Sequence, residues 1–202
     1  KRSYKVWLLI LMGSVMWSLT MVKSGLVYDY GMGFWGPNGH DGVWHIALAS
    51  SLARGNLELP IFAGEKIKNY HLGFDLMLAG LHTVTRIPIV NLYFQVLPPV
   101  FAIAIGWLVF KLTNNSWSVF FVYFGGSLGW IFGGGESMFW AQQAMSTLIN
   151  PPFALSLILM LSVLILIQKK KYLWACLVFA ILPHIKIYAG LLAFGGLLVA
   201  GL

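Results

Sequence analysis

Three apolar runs restrict this chain more than any other feature: VWLLILMGSVMW at 6–17, FAIAIGWLVF at 101–110 and FALSLILMLSVLILI at 153–167. With its flanks, each approaches the roughly 20 residues that a helix needs to cross a bilayer. Of the 202 residues, 59% are hydrophobic and 9% charged, against about 25% charged in an ordinary soluble domain. A soluble fold of this size cannot hide so much apolar surface, because its buried fraction is limited by surface scaling. The expectation is an all-α, polytopic membrane helix bundle forming one module over 1–202.

The net charge of +7 does not point to nucleic acid. Lys1, Arg2, Lys5, Lys111 and Lys169 to Lys171 flank apolar runs, as cytoplasmic anchors do, and no basic surface interleaved with aromatics appears. The one cysteine, Cys176, excludes an intrachain disulfide and a cysteine-based zinc site, and reads as a small buried hydrophobe. No A-x-A-like cleavage site follows the first run, so it reads as a retained anchor. Because the sequence opens on Lys1 and stops at Leu202 inside an apolar stretch, we expect a piece of a longer protein.

Spans are expected at about 6–22, 90–111, 116–133, 152–168, 172–184 and 187–202. Asn114-Asn115 marks a tight turn, Gly133 to Gly135 ends the third span, and Pro151-Pro152 opens the fourth. With the N-terminus, Lys111 and the lysine triplet in the cytoplasm, 23–89 and 134–150 lie outside. All six acidic residues fall in these two segments: Asp29, Asp41, Glu58, Glu65, Asp75 and Glu136. Segment 69–85 is nearly long enough to span, but a span there would reverse everything after it and bury His71, Asp75 and His82 at a cost. It is expected as a helix at the outer membrane face, partly buried against the bundle.

Chemistry is therefore sought in the outer loop 23–89. Pro37, Asn38 and Gly39 read as a turn, followed by a short amphipathic helix from about Asp41 to Arg54. Trp44, Leu48 and Leu52 repeat along a face that can lie on the membrane. Asp41 sits at the helix start, where the dipole favours a carboxylate, and His45 follows at i+4. His71 and Asp75 form a second pair at that spacing, just after Tyr70. Two carboxylate–imidazole pairs suit general base work or a metal site. Asp41 is equally readable as a helix cap, and His71 with Asp75 as a mutually satisfied pair. Asp29, Glu58, Glu65, Lys66 and Lys68 read as a solvated loop face, and His82 as a packing or interface histidine. Lys186, after Pro183-His184 and between two apolar stretches, is expensive unless it meets an anion such as a lipid phosphate or snorkels to the interface. Trp35, Trp44, Trp117, Trp130 and Trp140 serve as interface anchors. No Walker loop, Rossmann glycine pattern, nucleophile elbow or HExxH occurs.

The stretches HDGVWHIALASSLARG, NYHLGFDLMLAGLHTVTRIP and INPPFALSLILMLSVLILIQKKKYLWACLVFAILPHIKIYAGLL, taken in order, resemble the N-terminal module of the GT-C membrane glycosyltransferases. The likeness is to the branch with protein O-mannosyltransferases and lipid A aminoarabinose transferases. The resemblance implies two juxtamembrane helices in a large first extracytoplasmic loop. It implies sugar transfer, with inversion, from a polyprenyl-phosphate donor to a lipid, glycan or protein acceptor outside a prokaryotic cytoplasmic (inner) membrane. Asp41 stands where that family has its catalytic Asp. Lys186, with His184 beside it, stands where a basic residue meets the carrier phosphate, and His45, Tyr70 and His71 would line the same cavity. Departures exist: Asp41 is followed by Gly42 where relatives carry Asp-Glu, so a divalent metal is not favoured. Asn69-Tyr70-His71-Leu72 replaces the His-Pro-Pro-Leu element. The rivals are a transporter or flippase-like protein and a non-catalytic assembly subunit.

Overall fold

The computed structural model describes residues 2–36, 38–62, 64–125 and 147–201. The described chain is mostly helical: α1 (Arg2–Ser18), α2 (Asn38–Ala53), α3 (Gly73–Thr85), α4 (Ile89–Thr113), α5 (Ser116–Phe124), α6 (Pro151–Gln168), α7 (Tyr172–Ile185) and α8 (Ile187–Val199). It is not all-α. Strands β1 (Leu26–Tyr28) and β2 (Gly31–Gly33) form an antiparallel hairpin with Leu26 opposite Gly33 and Tyr28 opposite Gly31. Gly31, at φ 117°, takes a backbone conformation open mainly to glycine. Glu58 and Lys66, expected on a solvated loop face, also pair as an antiparallel bridge.

Among the described residues two helices, α4 with 25 residues and α6 with 18, are long and apolar enough to cross a membrane. The first expected span is shorter than anticipated, since α1 stops at Ser18 and turns carry the chain to Gly25. Helices α7 and α8, of 14 and 13 residues, rise only about 20 Å each at 1.5 Å per residue. Of the expected span 116–133, α5 covers its first half, and Gly133 to Gly135, Trp130, Glu136 and Trp140 lie outside the described residues.

The outward faces are unusually apolar. Leu8, Leu11 and Val15 on α1, Leu173, Trp174 and Leu177 on α7, and Leu191, Leu192 and Leu198 on α8 are all exposed. Large contiguous apolar surface marks a face meant for another apolar phase. Cys176, expected buried, is also exposed on α7. In a bundle whose exterior is apolar, a small hydrophobe needs no burial in the core.

The core forms where α1, α4 and α5 meet around Tyr123. Its hydroxyl donates to the Ala102 carbonyl at 2.6 Å and lies 3.2 Å from Ser14 Oγ, while Trp17 Nε1 donates to its carbonyl at 3.1 Å. Gly13 and Gly106 carry no side chain because a Cβ at either would collide with Tyr123. Replacing Gly106 by Val is therefore expected to part α4 from α5 and cost about 1–3 kcal/mol, measured as a lowered thermal midpoint.

Helix α4 contains a wider π-helical turn at Leu92–Val96, just before Pro98 and Pro99. Proline removes a donor and crowds the carbonyl four residues back, and a π turn absorbs that crowding. The wider turn carries the buried residues Tyr93 and Phe94 that pack on α2: a Cβ at Gly42 would lie 2.6 Å from Phe94 Cζ. Buried Asn38 donates to Thr20 O and Ser24 Oγ, and Gln95 donates to Val22 O and Ser24 O. These bonds tie the end of α1 to the starts of α2 and α4.

Of the apolar stripe expected to rest on the membrane, Leu48 is turned fully inward, while Trp44 and Leu52 are half-buried. Leu48 and Ala49 are fully buried because α2 packs along α3. Asn38 and Gly39, expected in a turn, already belong to α2. Helix α3 rises about 20 Å over its 13 residues, short of a bilayer core of about 30 Å. It buries Phe74, Asp75, Leu78 and Ala79.

Candidate functional site

Asp41 lies in the first turn of α2, where unpaired backbone N–H groups favour a negative charge. The bonds its carboxylate makes run to side chains. His40 Nδ1 donates to Oδ1 at 2.9 Å and Asn150 Nδ2 donates to Oδ2 at 2.7 Å. Asn150 is also the cap of α6, its side-chain oxygen accepting from Phe153 N at 3.3 Å. Proline at the first positions of α6 lacks an N–H that would otherwise go unpaired there. One asparagine thus fastens Asp41 to the start of α6, so the carboxylate stands beside two helix N-termini. Burial alone would raise its pKa. The hydrogen bonds from His40 and Asn150 and the nearby charges of His45 and His40 outweigh this and hold it below the ordinary 3.8. With its side chain 37% exposed, Asp41 is an open, anionic carboxylate.

The i+4 pairs expected along the sequence do not form as such. Asp41 bonds His40 and Asn150, while His45 Nδ1 donates across to Asp75 Oδ1 at 2.8 Å. That pair is buried, with side chains 3% and 0% exposed. The physical reason is the α2–α3 contact: side chains at its centre point at the facing helix, and an i+4 pair along one helix would have to lie over that surface. His45 also stacks on Tyr93 at 6.1 Å and meets Phe74 edge-on at 5.6 Å.

Tyr70 and His71 occupy the segment leading into α3. Tyr70 Oη accepts from Trp44 Nε1 at 2.9 Å, and its ring stacks on His71 at 4.6 Å. Burial pushes the Tyr70 hydroxyl above its usual range, as do the charges of Asp75 and Asp41, against the Trp44 bond. His71 Nε2 is buried and has no partner among the described residues. Burial, then the positive charge of Lys186, pushes the His71 imidazole below its ordinary 6.5, with Asp75 opposing.

Lys186 is the residue at which α7 ends and α8 begins, in an extended conformation of φ −155° and ψ 111°. The break thus falls three residues after Pro183. The ammonium sits 5.7 Å from the Tyr188 ring centre and makes no ion pair among the described residues. Burial lowers its pKa from 10.5, while Asp41 and Asp75 pull it back up. Helix α3 starts against this break: a Cβ at Gly73 would lie 2.7 Å from the His184 carbonyl oxygen. His184 offers that backbone contact, but its side chain is exposed and bonds none of the others among the described residues.

The structure therefore brings Asp41, His45, Tyr70, His71 and Lys186 into one electrostatic neighbourhood and leaves out the His184 side chain. It adds His40, Asp75 and Asn150. Asn150-Pro151-Pro152 is legible in sequence as a helix start, but not as a clamp on residue 41. No three His, Cys, Asp or Glu side chains converge to hold a metal among the described residues. A separate cavity of about 590 Å³ lies on the opposite face of α2, along Val43, Ile46, Ala47 and Ser50.

The His71 shift has a definite consequence for stability. Its folded pKa lies below 6.5, so below that pH the unfolded chain binds a proton sooner than the folded one. Its contribution is present above pH 6.5 and is lost as the pH falls toward the folded value. Asp41, whose pKa lies under 3.8, adds no slope there. Thermal midpoints recorded from pH 7 to pH 5 are expected to fall, and His71→Gln to flatten that fall.

No protein-family model, curated protein or solved structure matches the chain.

Proposed function

We propose that this chain is a membrane glycosyltransferase module of GT-C type. It moves a sugar from a polyprenyl-phosphate donor to an acceptor hydroxyl at the extracytoplasmic face, with inversion. The observation that supports it most is the meeting, from opposite ends of the sequence, of an open carboxylate and an ammonium that makes no ion pair among the described residues. Asp41, braced by Asn150, and Lys186, at a helix break, share one site without pairing.

The chemistry follows from that separation of charge. Asp41 accepts the acceptor hydroxyl's hydrogen bond and, as general base, its proton while the oxygen attacks the anomeric carbon. The bond from that carbon to the phosphate oxygen breaks, and its electron pair leaves on the phosphate. Lys186 balances the growing negative charge, which is worth more at a half-buried site than in water. His71, whose buried Nε2 has no partner among the described residues, and Tyr70 offer further polar contacts to the donor. His184 could join the phosphate only by turning inward from its exposed position. Sugar, acceptor and lipid enter from a bilayer, which α4, α6 and the apolar outer faces suit.

The test is transfer of labelled sugar from a polyprenyl-phosphate donor by membranes containing the chain. Activity that disappears with Asp41→Asn at equal expression supports the reading, and full activity in that variant overturns it. A transporter for a lipid-linked solute is the second reading, favoured by the break between α7 and α8. It requires transmembrane movement of an intact solute without bond cleavage. A purely structural subunit would use Asp41 as a cap, whereas the bonds its carboxylate makes run to His40 and Asn150.

A further inference from the structure

Asp41 is well placed to receive a proton and poorly suited to keep it. Its two oxygens already accept from His40 and Asn150, and both bonds favour the anion. A proton taken from an acceptor hydroxyl must therefore move on before the next turnover. Two imidazoles stand near. His40 touches Asp41 directly, but its side chain is 93% exposed and that bond is its one side-chain hydrogen bond among the described residues. His45 is one helical turn on, on the same face of α2, where Cβ atoms at i and i+4 lie about 5–6 Å apart.

His45 is set up differently. Its Nδ1 is committed to Asp75 at 2.8 Å, which leaves Nε2 as its open nitrogen. Tyr93 and Phe74 hold the ring from two sides. Asp75 is 0% exposed, and its second oxygen has no partner among the described residues. A buried carboxylate with a single bond is a costly way to hold two helices together, because apolar packing does so as well or better. The same carboxylate is well spent if the imidazole beside it must carry a positive charge away from water.

We propose that His45 is a proton acceptor of the reaction and that Asp75 is its positioning residue. The step rests on the glycosyl-transfer reading. The acceptor O–H proton passes to Asp41 as the new carbon–oxygen bond forms and the carbon–phosphate oxygen bond breaks. Asp41 then hands it, through one water, to His45 Nε2. The Asp75 carboxylate balances the resulting imidazolium, Asp41 returns to its anionic form, the phosphate departs with the bonding pair, and His45 Nε2 releases the proton to water before the next turnover.

Two measurements on the whole chain decide this. Nitrogen-15 NMR at alkaline pH is expected to show His45 protonated at Nδ1; protonation at Nε2 overturns the proposal without reference to any activity. In the transfer assay, Asp75→Asn, which removes charge and keeps volume, is expected to lower kcat on the order of 100-fold, with KM and the thermal midpoint little changed. Should that variant misfold, His45→Gln takes its place with the same expectation. Full kcat in a folded Asp75→Asn overturns the proposal and leaves the transferase reading standing. Full activity in Asp41→Asn instead overturns that reading itself, and the relay with it.

Discussion

Asparagine in place of Asp41 is expected to lower sugar transfer about 10²–10⁴-fold, the range that general base catalysis contributes, with little change in folding. Asparagine has nearly the same shape, and its oxygen can still accept from one of the two donors that hold Asp41, His40 and Asn150. It cannot accept a proton or carry the charge those donors favour. Asp41→Glu keeps the charge and moves it by a methylene, out of the Asn150 clamp, so it should recover only part of the rate. Asn150→Ala is expected to act on both properties. It removes the cap of α6, worth about 1 kcal/mol, and frees the carboxylate. With that bond gone, the Asp41 pKa should move up, which carbon-13 NMR of the carboxyl reads directly. Expression-normalised transfer rates and thermal midpoints together separate lost chemistry from lost fold.

Lys186→Gln is expected to show opposite signs in its two readouts. Transfer should fall about 10²–10³-fold, as when a single charge-stabilising group is removed from a developing anion. The thermal midpoint of the free chain should hold or rise. Burial lowers the pKa of Lys186 below 10.5, so the folded chain releases that proton at a lower pH than the unfolded one. Between the folded value and 10.5, raising the pH favours folding; at neutral pH the charge is a cost that the folded state carries. A residue that weakens the empty protein and serves a charged ligand is a common form of stability–activity trade-off. A short prenyl phosphate should therefore raise the midpoint of the wild-type chain and leave that of Lys186→Gln unmoved. A fall in the midpoint of the free variant would instead assign Lys186 a structural role, with the partner still to be found.

The elements near residues 41–54, 69–85 and 172–202 were legible because their signals are local. Apolar runs, a carboxylate near a helix start and Asn150 before two prolines each act within a few residues. The hairpin was missed because its strands have three residues each, too few for an alternating pattern to stand out. The stripe of Trp44, Leu48 and Leu52 lies on one face of α2, with Leu48 buried against protein and its neighbours half-buried. A helical face can be buried by lipid or by protein, and hydropathy does not tell them apart.

Pairing was the part that sequence spacing misassigned. The i+4 rule matched Asp41 with His45 and His71 with Asp75, whereas α2 and α3 exchange His45 and Asp75 across their contact. Taken alone, the residue order located most of the helices and named the polar candidates, but it expected six spans where, among the described residues, two helices are long and apolar enough for a bilayer. Tertiary packing decided which of those side chains meet, because a hydrogen bond of 2.8 Å depends on how two helices cross. Gly42 against Phe94 seats α2 on α4, and Gly73 against the His184 carbonyl seats α3 on the end of α7; no local pattern encodes either approach.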